Sequence, residues 1–369
     1  MIRELKRPRS FYERLFRLTA PIALQNLITF SLGLIDTLMV SQLGNNEMAA
    51  VKTANVPVFL LISIVFGVQS GVGILISQYW GKRDHQNISR AIGVAAGLGV
   101  GLALVIALAL FFWPVQIMDL MSNEHQLSVL GAPYLRIIGF AYYTFGISNT
   151  IICTLRGIEV VRISVIVNLA SLFTNVFLNW VLIFGNLGAP ALGIRGAAIA
   201  TLCARLLEFV ITIVYLFFID KRLQFRLRDL LHFHKTLASD LLRCGTPVVI
   251  NELAWSLGIT VQAAILGHIR YAAGDPVAAN SIAGIVQQLS TVFIFGIANA
   301  AAVMVGMTIG EGKQELAKKQ AHTFKYLSFL IGVLACGLIL LLKDPFINFY
   351  HIPEATKELA RQLMVVIAF

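Results

Sequence analysis

An acid, Asp36, sits near the end of an otherwise uncharged, largely apolar run that begins at Leu18. A carboxylate at such depth costs about 2.5–3.5 kcal/mol on the membrane-insertion scale, and such residues face a protein interior or a water-filled cavity. Of the 19 acidic residues, only Asp36, Glu208 and Glu252 fall well inside apolar runs, so each is a candidate for function. Further along, Asn168, Ser171, Asn175 and Asn179 follow one another at steps of three, four and four, which places them on one face of a helix. Counted at 1.5 Å per residue, Asp36, Asn175, Asn179 and Thr201 all lie roughly 8–15 Å below the same membrane surface. One carboxylate, two amides and a hydroxyl could form a small oxygen cage, with Asp36, Asn175 and Thr201 as ligands to sodium or Asp36 as a titrating acid. The plainer reading is that the asparagines only tie helices together by hydrogen bonds.

The other two acids differ in their surroundings. Glu208 has Arg205 three residues before it, so the two can neutralise each other on one helix face. Glu252 has no basic neighbour in its run after Arg243 and is the second coupling candidate. Trp255, one turn on, could stack against a cationic or aromatic ligand. Gln287, in a polar group with Asn280, Gln288 and Thr291, completes the candidate binding residues. Pro21 and Pro247 each remove a helical hydrogen bond near the start of a span and invite bending there.

These residues need elements that hold them in a bilayer, and the composition supplies them. The chain has 369 residues, 57% of them hydrophobic and 13% charged, with a mean hydropathy of +0.79. That is the balance of a membrane protein. Nine complete spans are expected near 17–41, 54–79, 91–113, 128–153, 163–184, 193–219, 243–269, 277–309 and 322–342, with a tenth beginning near 356. Of the 29 Lys and Arg residues, 21 fall in the segments on the N-terminal side, six on the other side, and Arg136 and Arg205 within spans. The positive-inside rule therefore puts the N-terminus in the cytoplasm, and the net charge of +10 needs no nucleic-acid partner. Cys153, Cys203, Cys244 and Cys336 show no paired or metal-type spacing.

The chain also resembles itself. RLTAP at 17–21 faces RCGTP at 243–247, FGVQSGVGILISQYWGK at 66–82 faces FGIANAAAVMVGMTIGE at 295–311, and Pro114 faces Pro345. The shifts are 226, 229 and 231 residues. An even number of spans per copy makes the repeats parallel, related by an axis along the membrane normal. The expected fold is an all-α polytopic membrane protein of two parallel six-helix repeats, a twelve-helix plan with about ten helices here. The expected divisions are an N-terminal lobe, 1–220, a cytoplasmic linker, 221–242, and an incomplete C-terminal lobe, 243–369, that stops within its fourth helix. No Walker loop, CxxC, HExxH or paired-acid motif occurs, which argues against an enzyme or an ATP-driven pump.

The segments PIALQNLITFSLGLIDTLMVSQLG, SQYWGKRD, TNVFLNWVLIFG, LGIRGAAIATLCAR and PVVINE together resemble the multidrug and toxic compound extrusion family, in its NorM-like branch. The resemblance implies a secondary antiporter of the bacterial cytoplasmic membrane that exports organic cations or amphiphilic drugs in exchange for protons or sodium. It implies no cofactor beyond the coupling ion, and a monomer is expected. Carried onto matching positions, Asp36 is the coupling carboxylate with Asn175, Asn179 and Thr201 beside it, Pro21 is the bend in the first helix, and Glu252 is the acid of the seventh. Some members carry Asp where this chain has Asn179, which weakens the sodium alternative. A lipid-linked oligosaccharide flippase of the same superfamily is the rival reading, and it calls for several basic residues within the spans.

Overall fold

The structure is a computed structural model that describes residues 6–121, 125–220, 222–223, 235–268, 276–348 and 353–368. Every regular element among the described residues is helical: α1 Arg9–Ser41, α2 Asn45–Gly81, α3 His85–Phe112, the short α4 Pro114–Asp119, α5 His125–Gly157, α6 Arg162–Phe184, α7 Ile194–Val214, α8 Lys235–His268, α9 Pro276–Gly310, α10 Gln314–Asn348 and α11 Glu354–Ala368. The last turn of α7 widens into a π-helical turn over Tyr215–Ile219. A bilayer supplies no water to unpaired backbone groups, so helices that satisfy their own hydrogen bonds are what such apolar runs must form. Six of these helices are long and apolar enough among the described residues to cross a membrane.

Short connections make the first helices antiparallel neighbours. Three residues, Gln42–Gly44, join α1 to α2. Three more, Lys82–Asp84, join α2 to α3, where the Asp84 carboxylate accepts from the Asn87 backbone N–H at 3.1 Å and caps the new helix. Gly185, at φ 76°, ends α6 in the left-handed conformation that glycine adopts without penalty. Both candidate bending prolines, Pro21 and Pro247, lie inside continuous helices, α1 and α8.

Within the first six long helices, α5 packs on α2, α3 and α7, and α6 packs on both α1 and α7. In the second set α9, α10 and α11 pack on one another. The two sets meet where α8 crosses α2 and where α9 crosses α1 and α2. Their shared apolar cluster joins Phe11, Leu15, Leu18 and Ile22 of α1 to Ile297, Val303 and Met304 of α9. Those residues belong to the end of the helices that carries Arg7, Arg14, Lys82 and Arg83, called here the basic end. Toward the other end, α8 exposes Ile250, Trp255, Leu257 and Val261.

Residues 235–242, assigned to the linker by their charge, form the first turns of α8 instead. Leu237, Ala238 and Leu241 are buried, the first two beside Val94 of α3. The charges of Lys235, Asp240 and Arg243 had hidden this apolar face. Most of the remaining linker lies outside the described residues.

Candidate functional site

The close approach of α6 and α7 sets the geometry of the polar site. Gly196 of α7 lies so near α6 that a Cβ there would sit 2.5 Å from the carbonyl oxygen of Leu182. Only a residue without a side chain allows this approach. It brings Thr201 of α7 against the polar face of α6, where Asn168, Ser171, Asn175 and Asn179 are all buried. α1 packs on the same face from the other side.

The four groups grouped by depth form one continuous hydrogen-bonded chain. Asn179 Nδ2 donates to Asp36 Oδ1 at 2.7 Å and to Asn175 Oδ1 at 3.0 Å. Asn175 Nδ2 in turn donates to Thr201 Oγ1 at 3.1 Å. Asn175 and Asn179 are fully buried, whereas Asp36 is half-buried at the end of the chain. The chain thus runs from a half-buried carboxylate into a dry interior. Two turns toward the basic end, Thr29 Oγ1 donates to Asn168 Oδ1 at 3.2 Å and extends the α1–α6 contact.

Two buried atoms of this face, Asn179 Oδ1 and Ser171 Oγ, have no hydrogen-bond partner among the described residues. An unpartnered buried acceptor is costly and calls for a proton donor, a water or a cation. The residues fit a proton directly, because Asp36 alone can take it. A sodium ion also fits the oxygen chemistry of Asp36, Asn175 and Thr201, but both amide nitrogens now point along the chain and Asn175 Oδ1 is already occupied. Among the described residues no cluster of three or more His, Cys, Asp or Glu occurs elsewhere.

Arg205 and Glu208 pair as their spacing suggests. Arg205 Nη1 donates to Glu208 Oε2 at 2.7 Å, with side-chain exposures of only 8% and 1%. The guanidinium carbon also lies 4.4 Å from the ring centre of Phe145, on α5. The pair is neutral overall and starts one turn beyond Thr201.

The remaining candidates do not join this site. Glu252 is half-buried on α8, which packs on α2 and α3, and the Asp36 chain closes without it. Trp255 on the same helix is 52% exposed, and Gln287 is exposed on α9. Sequence reasoning missed Arg156, placed by its charge in a loop. It ends α5, where Nη1 donates to Asn299 of α9 at 2.9 Å and Nη2 to Gln25 of α1 at 3.1 Å. The signal available was Gln25, a polar residue inside the first apolar run. Also missed was the buried pair in which Asn149 Nδ2 donates to Gln69 Oε1 at 2.6 Å, tying α5 to α2.

The MatE family model matches residues 21–181 and 247–369, so both copies of the repeat are recognised. The chain is 28% identical over 346 residues to the uncharacterized transporter YisQ of Bacillus subtilis, covering 91% of this chain and 73% of YisQ. It is 27% identical over 340 residues to the probable multidrug resistance protein NorM of Thermotoga maritima, covering 92% and 72%. Its fold superimposes with a TM-score of 0.86 on a structure described as the outward-facing conformation of a multidrug resistance MATE family transporter, at 21% identity over 95% of this chain and 77% of the other. The transporter of Pyrococcus furiosus, described as having a reverse polarity of its binding pocket, gives 0.85 at 20% identity, covering 96% and 77%. The chain belongs to the MatE family of multidrug and toxic compound extrusion transporters.

Proposed function

We propose that the protein is a secondary antiporter that exports organic cations or amphiphilic drugs in exchange for H+ or Na+ by alternating access, with Asp36 as the ion-coupling carboxylate. The observation that carries this reading is the chain Asp36–Asn179–Asn175–Thr201, because it connects the half-buried intramembrane carboxylate of α1 to buried groups on α6 and α7. A change of charge at Asp36 alters which groups can donate along that chain, so ion occupancy can change how α1 sits on α6. Coupling requires that ion and cargo favour different states, since a ligand with equal affinity for both moves no equilibrium. The N-terminus is cytoplasmic in this reading, and the basic end faces anionic lipid of the inner leaflet. The flippase alternative loses ground at Arg205, whose guanidinium is committed to Glu208 rather than offered to a pyrophosphate.

The test is binding of a rhodamine-type cation to purified protein, titrated with pH and with sodium, for the parent and Asp36→Asn. Displacement of the dye by one ion from the parent, and not from the variant, is the expected result and identifies that ion. Unchanged ion-driven export by Asp36→Asn refutes the assignment.

A further inference from the structure

The contacts between the two halves follow the repeat. Gly81 of α2 is so close to the Met307 carbonyl of α9 that a Cβ would overlap it, and Gly310 of α9 stands in the same relation to the Gln78 carbonyl of α2. At the repeat shift of 229 residues, Gly81 corresponds to Gly310 and Gln78 to Met307. Each contact is therefore the other's symmetry mate. A second pair obeys the same rule: Gly67 of α2 packs on Val249 of α8, and Gly296 of α9 packs on Ala23 of α1. Gly67 and Gly296 correspond at 229, Val249 and Ala23 at 226. Two-fold interfaces are self-complementary in this way.

Three arginines bridge the halves over the same stretch. Arg156 bonds Gln25 and Asn299, as described, and its own Nε is buried without a partner among the described residues. Arg14 pairs with Glu159 on its own half and reaches Met307 Sδ at 2.9 Å on the other. Arg7 donates to Thr323 Oγ1 at 2.9 Å and to the Lys319 carbonyl at 2.6 Å, both on α10. All of these contacts lie toward the basic end from Asp36, whereas a Cβ at Gly33, one turn from Asp36, would meet nothing within 4 Å.

We propose that this reciprocal glycine crossing, pinned by Arg156, is the gate that shuts the basic end, and that it parts and re-forms in each transport cycle. The inference rests on the alternating-access reading, but its deciding readout, reporter labelling, needs no cargo. Packed surfaces that meet backbone to backbone have two arrangements, joined or parted, rather than a continuum. The arginine bonds are charge-assisted or reach across the seam, so they strengthen the joined state and are lost together when it opens.

The experiment uses the full chain with its four cysteines replaced by alanine, oriented in vesicles. Gly33→Cys serves as a reporter, probed with a membrane-impermeant thiol reagent supplied at the basic end. The lock is Ser77→Cys with Gly306→Cys, since a Cβ at Gly306 lies 3.0 Å from Ser77 Cβ, within a small adjustment of disulfide spacing. Oxidation is expected to abolish reporter labelling from the basic end and to stop dye efflux, with both restored by reductant. Arg156→Met, which keeps the glycine crossing, is expected to raise the labelling rate at least tenfold. The proposal is overturned if the disulfide fails to form, if it forms and labelling continues, or if Arg156→Met leaves the rate unchanged. Failure of the antiport reading shows separately, as gated labelling in a protein that exports no cation.

Discussion

Breaking the Arg205–Glu208 pair gives the sharpest energetic test of the first six-helix lobe. Both side chains are more than nine-tenths buried and meet at 2.7 Å, so neither charge can recover water if its partner is removed. Arg205→Met leaves the Glu208 carboxylate unpaired, which costs about 3–5 kcal/mol for a buried pair. Loss of the guanidinium from the Phe145 ring adds up to about 2 kcal/mol for a desolvated contact. The double variant Arg205→Met with Glu208→Leu leaves no orphaned charge and is expected within about 1 kcal/mol of the parent, because apolar replacement of such pairs is often neutral. Unfolding in detergent micelles, followed by tryptophan fluorescence, reads all three proteins on one scale. At 1.4 kcal/mol per tenfold change, a 4 kcal/mol loss lowers the folded-to-unfolded ratio by about three orders of magnitude. Equal stability of the single and double variants would show that the Glu208 charge does not depend on Arg205.

Asn179→Leu removes the donor to Asp36 at 2.7 Å and is expected to change ion affinity, read by dye competition, about ten- to a hundred-fold, since bonds to charged groups contribute about 1.5–3 kcal/mol. An unchanged competition curve would place the coupling site elsewhere. Gly196→Val forces α6 and α7 apart at the Leu182 carbonyl and should lower the melting temperature and weaken ion competition together. A variant that melts lower with intact competition would separate the α6–α7 contact from the site. The exposed Glu354 carboxyl, hydrogen-bonded to Lys357 at 2.8 Å and attracted by its charge, is held below the usual carboxylate range. Its small stabilising contribution is thus present above the unfolded value and fades as pH falls through the folded one, so Glu354→Gln should flatten the acid limb of the melting curve below about pH 5.

The helices were legible because hydrophobic runs in a bilayer allow few alternatives, and the depth of a polar residue along such a run is set by counting. That is why Asp36, Asn175, Asn179 and Thr201 could be grouped before their side-chain bonds were seen. Depth says nothing of rotation about the helix axis, so it could not tell that Glu252 and Trp255 stand apart from the Asp36 chain. Both lie at a plausible level, but α8 leans on α2 and α3, away from the α6–α7 face. Arg156 escaped for a different reason. A basic residue past the end of an apolar run looks solvated, and only the overlap of the two halves at the basic end covers it. The repeat alignment set Gly81 opposite Gly310 as equivalents, yet equivalence in sequence does not state that each touches the other's neighbour.

The reciprocal crossing also bears on how such a molecule can change over time. In an ancestor built from two identical chains, one substitution at the axis would alter both sides at once, and residues facing their own copies could grow or shrink only together. Joining the copies in one chain removes that restriction. Here Ser77 stands against Gly306, its own counterpart, and a hydroxymethyl group on one side fits because the other side has none. Such size-for-size exchange across the axis is closed to identical copies and open once the two differ in sequence, so one lobe can carry the Asp36 site while the other diverges without undoing the seam they share.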